Sequence, residues 1–264
     1  MSEIVVVKLG GSAITVKSDP CTPRLDVIHR ALDVVAGYRN PLVLLHGAGS
    51  FAHQFISEKI KKDRFRNAKG RGVVSEVELN LDQLTRMIGV GLLLRSRPFV
   101  PIHPMSFLTL KGELIVSSFL SPFRSPLRSG LVPLSHGDLA VDVRGGFGIV
   151  SADRIASLLG EKMSVSRVLF GCDVDGIYEG DPKRKPSTGL VDTVDRKNSG
   201  RVLRDTSILR GDVTGGMHGK VKEALRLAKN GVESYVFNLN DPRNLRRLLH
   251  GSDDVGTRFV AWKN

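Results

Sequence analysis

Short β-branched apolar runs that stop at glycine-rich turns constrain this chain most. Glu3-Ile-Val-Val-Val-Lys-Leu9 ends at Gly10-Gly11, and Pro41-Leu-Val-Leu-Leu-His46 runs into Gly47-Ala-Gly-Ser-Phe51. A run this short, apolar on both of its faces and broken by glycine, reads as a buried parallel strand. Between the two, Thr22-Pro23 supplies a cap and a first-turn proline ahead of Val27, Ile28, Leu32 and Val35 at helical spacing, which predicts a helix of about 16 residues. The glycine turn after His46 is expected to open another helix, and Ser75-Glu-Val-Glu78 has capping-box spacing before Leu81, Leu84, Ile88 and Leu92, predicting a long amphipathic helix from about 75 to 95.

From Pro98 to Gly148 the short runs, such as 112–119 and 131–134, are separated by Pro and Gly and read as strands and hairpins, with Arg144-Gly-Gly146 as a turn. Alternation then resumes. Ser151 caps a helix to about Leu159, Val168-Leu-Phe170 is a buried strand, and Val221 to Ala228 is helical. Val232 to Phe237 is a strand, Asp241-Pro242 starts a helix to about Leu249, and Thr257 to Trp262 closes as a strand. Strands alternating with helices at this spacing predict an α/β architecture, an αβα sandwich around a central, mainly parallel open sheet. With 264 residues, 41% of them hydrophobic, one such core is well within reach.

No apolar run approaches the roughly 20 residues of a membrane helix, and the N-terminus goes straight into a strand without a leader-like pattern. The expectation is a cytoplasmic protein with no membrane partner. Cys21 and Cys172 form no Cys-x-x-Cys pair and suggest neither a disulfide framework nor structural zinc. His29, His103 and His250 show no ligand spacing, there is no His-Glu-x-x-His and no Gly-x-Ser-x-Gly, and no metal ligands are assigned. The excess of 39 Lys plus Arg over 27 Asp plus Glu gives +12 and favours anionic partners. The basic segment 59–71, with Phe65 interleaved, can be read as a solvated helix end, as a lid over a phosphorylated ligand, or as a contact to nucleic acid. No zinc finger, RNP-type motif or basic tail argues for the last.

Four constellations carry chemistry. Lys8-Leu9-Gly10-Gly11-Ser12 stands at the carboxyl end of the first strand, where open parallel sheets bind ligands, with N–H donors and one cation for an anion. Lys17 follows on the same loop. His46-Gly-Ala48-Gly49-Ser-Phe-Ala-His53 formally fits a dinucleotide fingerprint, but the acidic residue that should follow about 20 positions on is replaced by basic residues near Lys69 to Arg71, so an anion-binding helix N-terminus is the better reading. Gly171-Cys-Asp173-Val-Asp-Gly-Ile-Tyr178 lacks the ligands of a calcium loop and suits a nucleotide. Asp212-Val-Thr-Gly-Gly216-Met-His-Gly-Lys220 is not a Walker A loop, since Thr214 and Val221 stand where Gly and Ser/Thr are required, yet its glycines and lysine suit a polyphosphate at a helix N-terminus.

Taken in order, these motifs resemble the amino acid kinase family across nearly the whole chain. Within it, His53 and Asp-Val-Thr-Gly-Gly-Met resemble the members that phosphorylate isopentenyl phosphate, while kinases of fosfomycin share much of the pattern. The resemblance implies ATP with its Mg²⁺, a small phosphate acceptor, a homodimer, an acceptor lobe over 1–165 and a nucleotide lobe over 166–264 on one continuous sheet. It implies that Lys8, Leu9, Gly10, Gly11, Ser12 and Gly49 cradle the transferring phosphates, that Lys17 stabilises their charge, and that Lys8, Lys17, His53 and Lys220 are catalytic. Ala48, Gly49, His53 and Ala152 would hold the acceptor, and Asp173, Tyr178, Gly216 and Lys220 the nucleotide. Ala52 and Ala152 stand where that family usually has glycine. Leu84 or Ile88 could line an apolar tail pocket or simply fill the core.

Overall fold

The computed structural model describes residues 3–56, 58–180, 189–208 and 216–262. In chain order the first half contains β1 (Ile4–Leu9), α1 (Gly11–Ile14), α2 (Leu25–Gly37), β2 (Leu42–His46), α3 (Glu58–Lys62), α4 (Ala68–Leu93) and β3 (Phe99–Ile102). A hairpin of β4 (Leu108–Lys111) and β5 (Leu114–Ser118) leads to α5 (Ser121–Arg128), β6 (Val132–His136), β7 (Asp138–Val141), β8 (Phe147–Val150) and α6 (Ala152–Lys162). The second half has β9 (Val165–Cys172), β10 (Thr193–Val194), α7 (Ser199–Ile208), α8 (Gly216–Lys229), β11 (Glu233–Asn238), α9 (Pro242–Leu249) and β12 (Thr257–Phe259).

Eight strands form one sheet in the order β10-β12-β11-β9-β1-β2-β6-β3, and every neighbouring pair is parallel except β11 with β12. Strand alternation divides the core. Val5, Val7, Leu9, Leu42, Leu44 and Leu134 face one apolar layer, shared with α2, α4 and α9, whereas Val6, Val43, Leu45 and Phe170 face the other, shared with α5, α6 and α8. A sheet covered on both faces explains why its strands read as unbroken apolar runs. From β1 the chain crosses to β2 on one side, and from β9 to β11 on the other, so the point where the winding reverses lies between β1 and β9. Ligands of open parallel sheets bind in the crevice at such a point.

Several expected boundaries are corrected. The long helix starts at Ala68, seven residues before Ser75, because Asn67 caps it by accepting a hydrogen bond from Gly70 N at 2.7 Å. Glu78 therefore lies inside α4 and is released from capping. The helix after Thr22-Pro23 runs over 13 residues, and Pro23 instead forms a bridge with Thr15. Residues 121–128, placed among strands and hairpins, are helical: Pro122 sits in the first turn where no N–H is needed, and Phe123 is buried edge-to-face against Phe107. The closing strand ends at Phe259 rather than Trp262. Leu84 and Ile88 are fully buried in the core beneath α4. Among the described residues no helix is long and apolar enough to cross a membrane.

Candidate active site

Two glycine loops meet at the carboxyl edge of β1 and β2. Leu9 and His46 are register partners, Gly47 N donates to Leu9 O at 2.8 Å, and Gly10 N donates to Gly171 O at 2.9 Å. The loops touch backbone to backbone: a Cβ on Gly11 would lie 2.5 Å from Gly49 N, and one on Gly47 would lie 2.5 Å from Gly11 N. Gly49 has φ +52°, and a Cβ there would overlap Thr15 Oγ1, so only glycine fits without strain. Thr15 ties the loops together, its hydroxyl donating to Gly11 O at 2.8 Å and accepting from Ser50 N at 3.0 Å. The N–H groups of Gly11 and Ser12 open α1, ahead of its internal hydrogen bonds, and remain as donors at this edge.

The turn after His46 does not open an α-helix. It makes a single 3₁₀ turn, Gly49–Phe51, because Gly49 takes the left-handed conformation and Phe51 drops into the core. His53 follows on an exposed turn, its N–H donating to Gly49 O at 3.3 Å, and Ala48 and Ala52 are buried. Gln54 donates to Lys17 O at 2.8 Å, which brings the Lys17 segment beside the His53 turn. Across the winding-reversal crevice Ser12 Oγ donates to Asp173 Oδ1 at 2.8 Å, joining the loops after β1 and β9. Tyr178 donates to Asp175 Oδ2 at 3.1 Å. Gly216 begins α8 with φ +33°, while positions 212–215 of the same motif lie outside the described residues.

The charged centre lies on the α6 and α8 face. Alternation points Lys8 to that side with Val6, the first turn of α6 presents Asp153, and α8 presents Lys220 one turn from its start. Asp153 Oδ1 is 2.7 Å from Lys8 Nζ and Asp153 Oδ2 is 3.1 Å from Lys220 Nζ, all three side chains being largely buried. Lys220 also lies over the Phe170 ring at 5.5 Å. One carboxylate cannot neutralise two ammonium groups. Burial pushes Lys8 down, Asp153 opposes that and Lys220 adds to it, leaving its pKa at about 8. Lys220 also pays for burial, but the Asp153 charge more than compensates and holds it above its ordinary value. Burial alone would raise Asp153, and the charges of Lys220 and Lys8 reverse that to about 2. The centre thus carries one excess, labile proton, suited to an arriving polyanion.

Sequence reasoning anticipated Lys8 and Lys220 but not the residue that joins them. Asp153 carries one sequence signal, its place in the first turn after the Ser151 cap, whose hydroxyl accepts from Arg154 N at 3.1 Å. Ala152 itself is buried, with its backbone N against Gly137. A second cluster also went unforeseen. The β2–β6 register pairs His46 with His136, whose rings stack at 5.1 Å on the α4 face, and His46 Nε2 lies 2.9 Å from Thr85 Oγ1 on α4. Burial lowers His46 to about 4 and His136 well below its usual range, so both are neutral. The basic segment 59–71 loses its nucleic-acid feature, because Phe65 is 1% exposed and cannot stack on a base. Its backbone is instead held to the β7–β8 turn, Phe147 N donating to Arg64 O at 2.9 Å.

A sequence model of the amino acid kinase family matches residues 3–238. Among curated proteins, isopentenyl phosphate kinase of Methanothermobacter thermautotrophicus is 32% identical over 273 residues, covering 98% of this chain and 99% of that protein. The isopentenyl phosphate kinase of Methanocaldococcus jannaschii is 30% identical over 265 residues, covering 94% of this chain and 95% of its own. A crystal structure described as isopentenyl phosphate kinase superposes with a TM-score of 0.83 at 30% identity, covering 98% of this chain and all of the other.

Proposed function

This chain belongs to the amino acid kinase family, and from that premise we propose that it transfers the γ-phosphoryl group of ATP to isopentenyl phosphate, giving isopentenyl diphosphate and ADP. The observation that carries the reading is the pair of lysines held by one buried carboxylate at the carboxyl edge of β1, beside two interlocked glycine loops. The relatives named above supply the acceptor. A phosphate monoester has a second pKa near 6, so at neutral pH it is already an anionic nucleophile and needs no general base. Catalysis then consists of positioning two polyanions in line and offsetting the charge on the moving group.

In this reading the N–H groups of Gly11, Ser12 and Gly49 orient the transferring phosphates, Gly10 fixes the loop through its bond to Gly171 O, and Lys8, Lys17 and Lys220 stabilise the charge. Asp153 keeps Lys8 and Lys220 side by side rather than touching the substrate. Ala48, Gly49, His53 and Ala152 hold the acceptor phosphate, His53 by a hydrogen bond. Asp173, Tyr178 and Gly216 contact the nucleotide, whose Mg²⁺ supplies further charge neutralisation and is carried on the phosphates. The acceptor lobe covers 1–165 and the nucleotide lobe 166–264, in line with a sheet whose β1-β2-β6-β3 half and β9 to β12 half flank the crevice. We extend the reading to a cytoplasmic homodimer.

A coupled ADP-release assay over isopentenyl phosphate, dimethylallyl phosphate, fosfomycin, glutamate and carbamate tests it. The highest kcat/KM is expected with isopentenyl phosphate, and a higher value with fosfomycin or glutamate, or no turnover with any, refutes it. Hydrogen bonds to charged groups are worth about 1.5–3 kcal/mol, so His53→Ala should cost roughly 10- to 150-fold in kcat/KM for isopentenyl phosphate. A loss under about threefold removes His53 from the acceptor site.

A further inference from the structure

The unforeseen cluster on the α4 face contains more than the stacked histidines. Three elements deliver donors to one place: His103 follows β3, His136 ends β6 and Asp138 begins β7. The ligating atoms of these three residues all lie within 4.8 Å of one another. His136 Nδ1 is 3.5 Å from Asp138 Oδ2, and the His103 and His136 rings meet edge-to-face at 5.2 Å. His136 Nδ1 is also 3.4 Å from Gly137 O, a contact that leaves Nε2 as the ring nitrogen with a free lone pair.

The polar atoms here lack partners. His136 and Asp138 are 1% and 0% exposed at the side chain, yet His136 Nε2 and Asp138 Oδ2 are buried without a hydrogen bond. Glu78, from α4, is the neighbouring carboxylate, and its Oε1 is buried without a hydrogen bond too. Burying a carboxylate without a partner is strongly unfavourable, and two acidic groups cannot partner each other as anions. The other Asp138 oxygen is fixed by Leu139 N at 2.7 Å, so the open lone pairs are aimed rather than free to turn. His103, 40% exposed at its side chain, provides the route in from solvent, with Asp82 Oδ1 3.6 Å from its Nε2 as an outer partner.

We infer that His103, His136 and Asp138, with Glu78 as the adjoining fourth donor, form a binding site for a divalent transition cation of the zinc class. Two imidazoles and one or two carboxylates suit Zn²⁺, Co²⁺ or Mn²⁺ better than Mg²⁺, which favours oxygen donors and retained water. The site is separate from the Lys8 centre, since Lys8 and His46 project from opposite faces of the sheet. A cation here would clip α4 to the ends of β3 and β6, next to the strand that leads into the Gly47–Phe51 loop. Linear spacing could not disclose it, because the four donors come from four different elements.

The test uses the purified full-length chain, stripped with chelator and free of nucleotide, titrated with Co²⁺ and followed by visible ligand-field absorption, then with Zn²⁺ by calorimetry. One equivalent should bind and resist displacement by excess Mg²⁺. His103→Ala, whose side chain is half-exposed and whose loss should leave folding intact by circular dichroism, and Asp138→Asn should each weaken binding by about 100-fold. At 100 times its dissociation constant, Zn²⁺ should raise Tm by roughly 5–11 °C in the parent and not in His103→Ala. Absence of stoichiometric binding overturns the inference and leaves a proton shared between Glu78 and Asp138 as the occupant. Binding unchanged in His103→Ala overturns it as well.

Discussion

Asp153→Asn is the perturbation that most directly probes the charged centre. The substitution keeps the shape of the side chain and deletes its charge. With nitrogen to oxygen distances of 2.7 and 3.1 Å, each attraction is about 5–6 kcal/mol before desolvation at an effective dielectric of roughly 20. Most of that gain is offset by burying the ions, and the measurable cost of removing one partner from a buried set is about 3–5 kcal/mol. At about 2–4 °C per kcal/mol for a chain of this size, Tm should fall by roughly 6–20 °C. Two ammonium groups left facing each other will not both stay charged, so Lys8, already at about 8 with the carboxylate present, loses its proton at lower pH. Losing one positioned cation from the transition state costs about 10²–10³ in kcat. Thermal melting and the ADP-release assay measured from pH 6 to pH 9, a range chosen as about two units below and one above the Lys8 value, give both quantities. The basic limb of the variant's profile should move to lower pH. A kcat within about threefold of the parent, with an unmoved basic limb, refutes the idea that Asp153 holds the two lysines for catalysis.

Other outcomes follow from the same geometry. In the parent, kcat/KM should decline as pH rises through about 8, where Lys8 deprotonates; in Lys8→Arg, whose guanidinium stays charged, that limb should disappear even though activity is lower. Asp153 is held at about 2 against an ordinary 3.8, so its contribution to stability is complete above about pH 4 and lost as pH falls through about 2, which an acid titration followed by fluorescence of Trp262 and circular dichroism would detect. Gly49→Ala places a side chain at φ +52° against Thr15, and should cost about 1–3 kcal/mol with a larger proportional loss of turnover than of stability. A variant that melts with the parent would show that this turn has room to spare.

The glycine turns were legible because their chemistry is local. A β-branched run ending in Gly-Gly fixes a strand end and a close backbone approach whatever surrounds it, and Gly10, Gly11 and Gly49 are found in those roles. Ser151 capped its helix for the same reason. Where two local signals competed, sequence reasoning erred: Ser75 and Glu78 matched a capping box, but Asn67 offered an earlier cap, and Gly70 and Gly72 in between lowered the helical preference without breaking the helix. The proline pair in 121–128 hid a helix because only Pro122 sits where proline is harmless.

What stayed out of reach depends on strand order. Asp153 becomes the partner of Lys8 and Lys220 only because α6 and α8 cover the same face of β1, and His136 meets His46 only because β6 is placed beside β2 in a register that aligns them. Lys8 and Asp153 stand 145 positions apart and His46 and His136 stand 90 apart, and no spacing rule spans such gaps. The two clusters differ in kind. The Lys8 centre carries more positive than negative charge and is completed by an anion, whereas the His136 cluster gathers acceptors and is completed by a cation or a proton. Placing them on opposite faces of one sheet does not insulate them, because apolar strands without water or mobile ions screen charge poorly, and the Lys8 charge already lowers His46 across the sheet. Asp153→Asn removes the anion that offsets the two lysines, so it should weaken Co²⁺ binding at the His136 cluster, though by less than His103→Ala does, and tighter Co²⁺ binding in Asp153→Asn would refute that coupling.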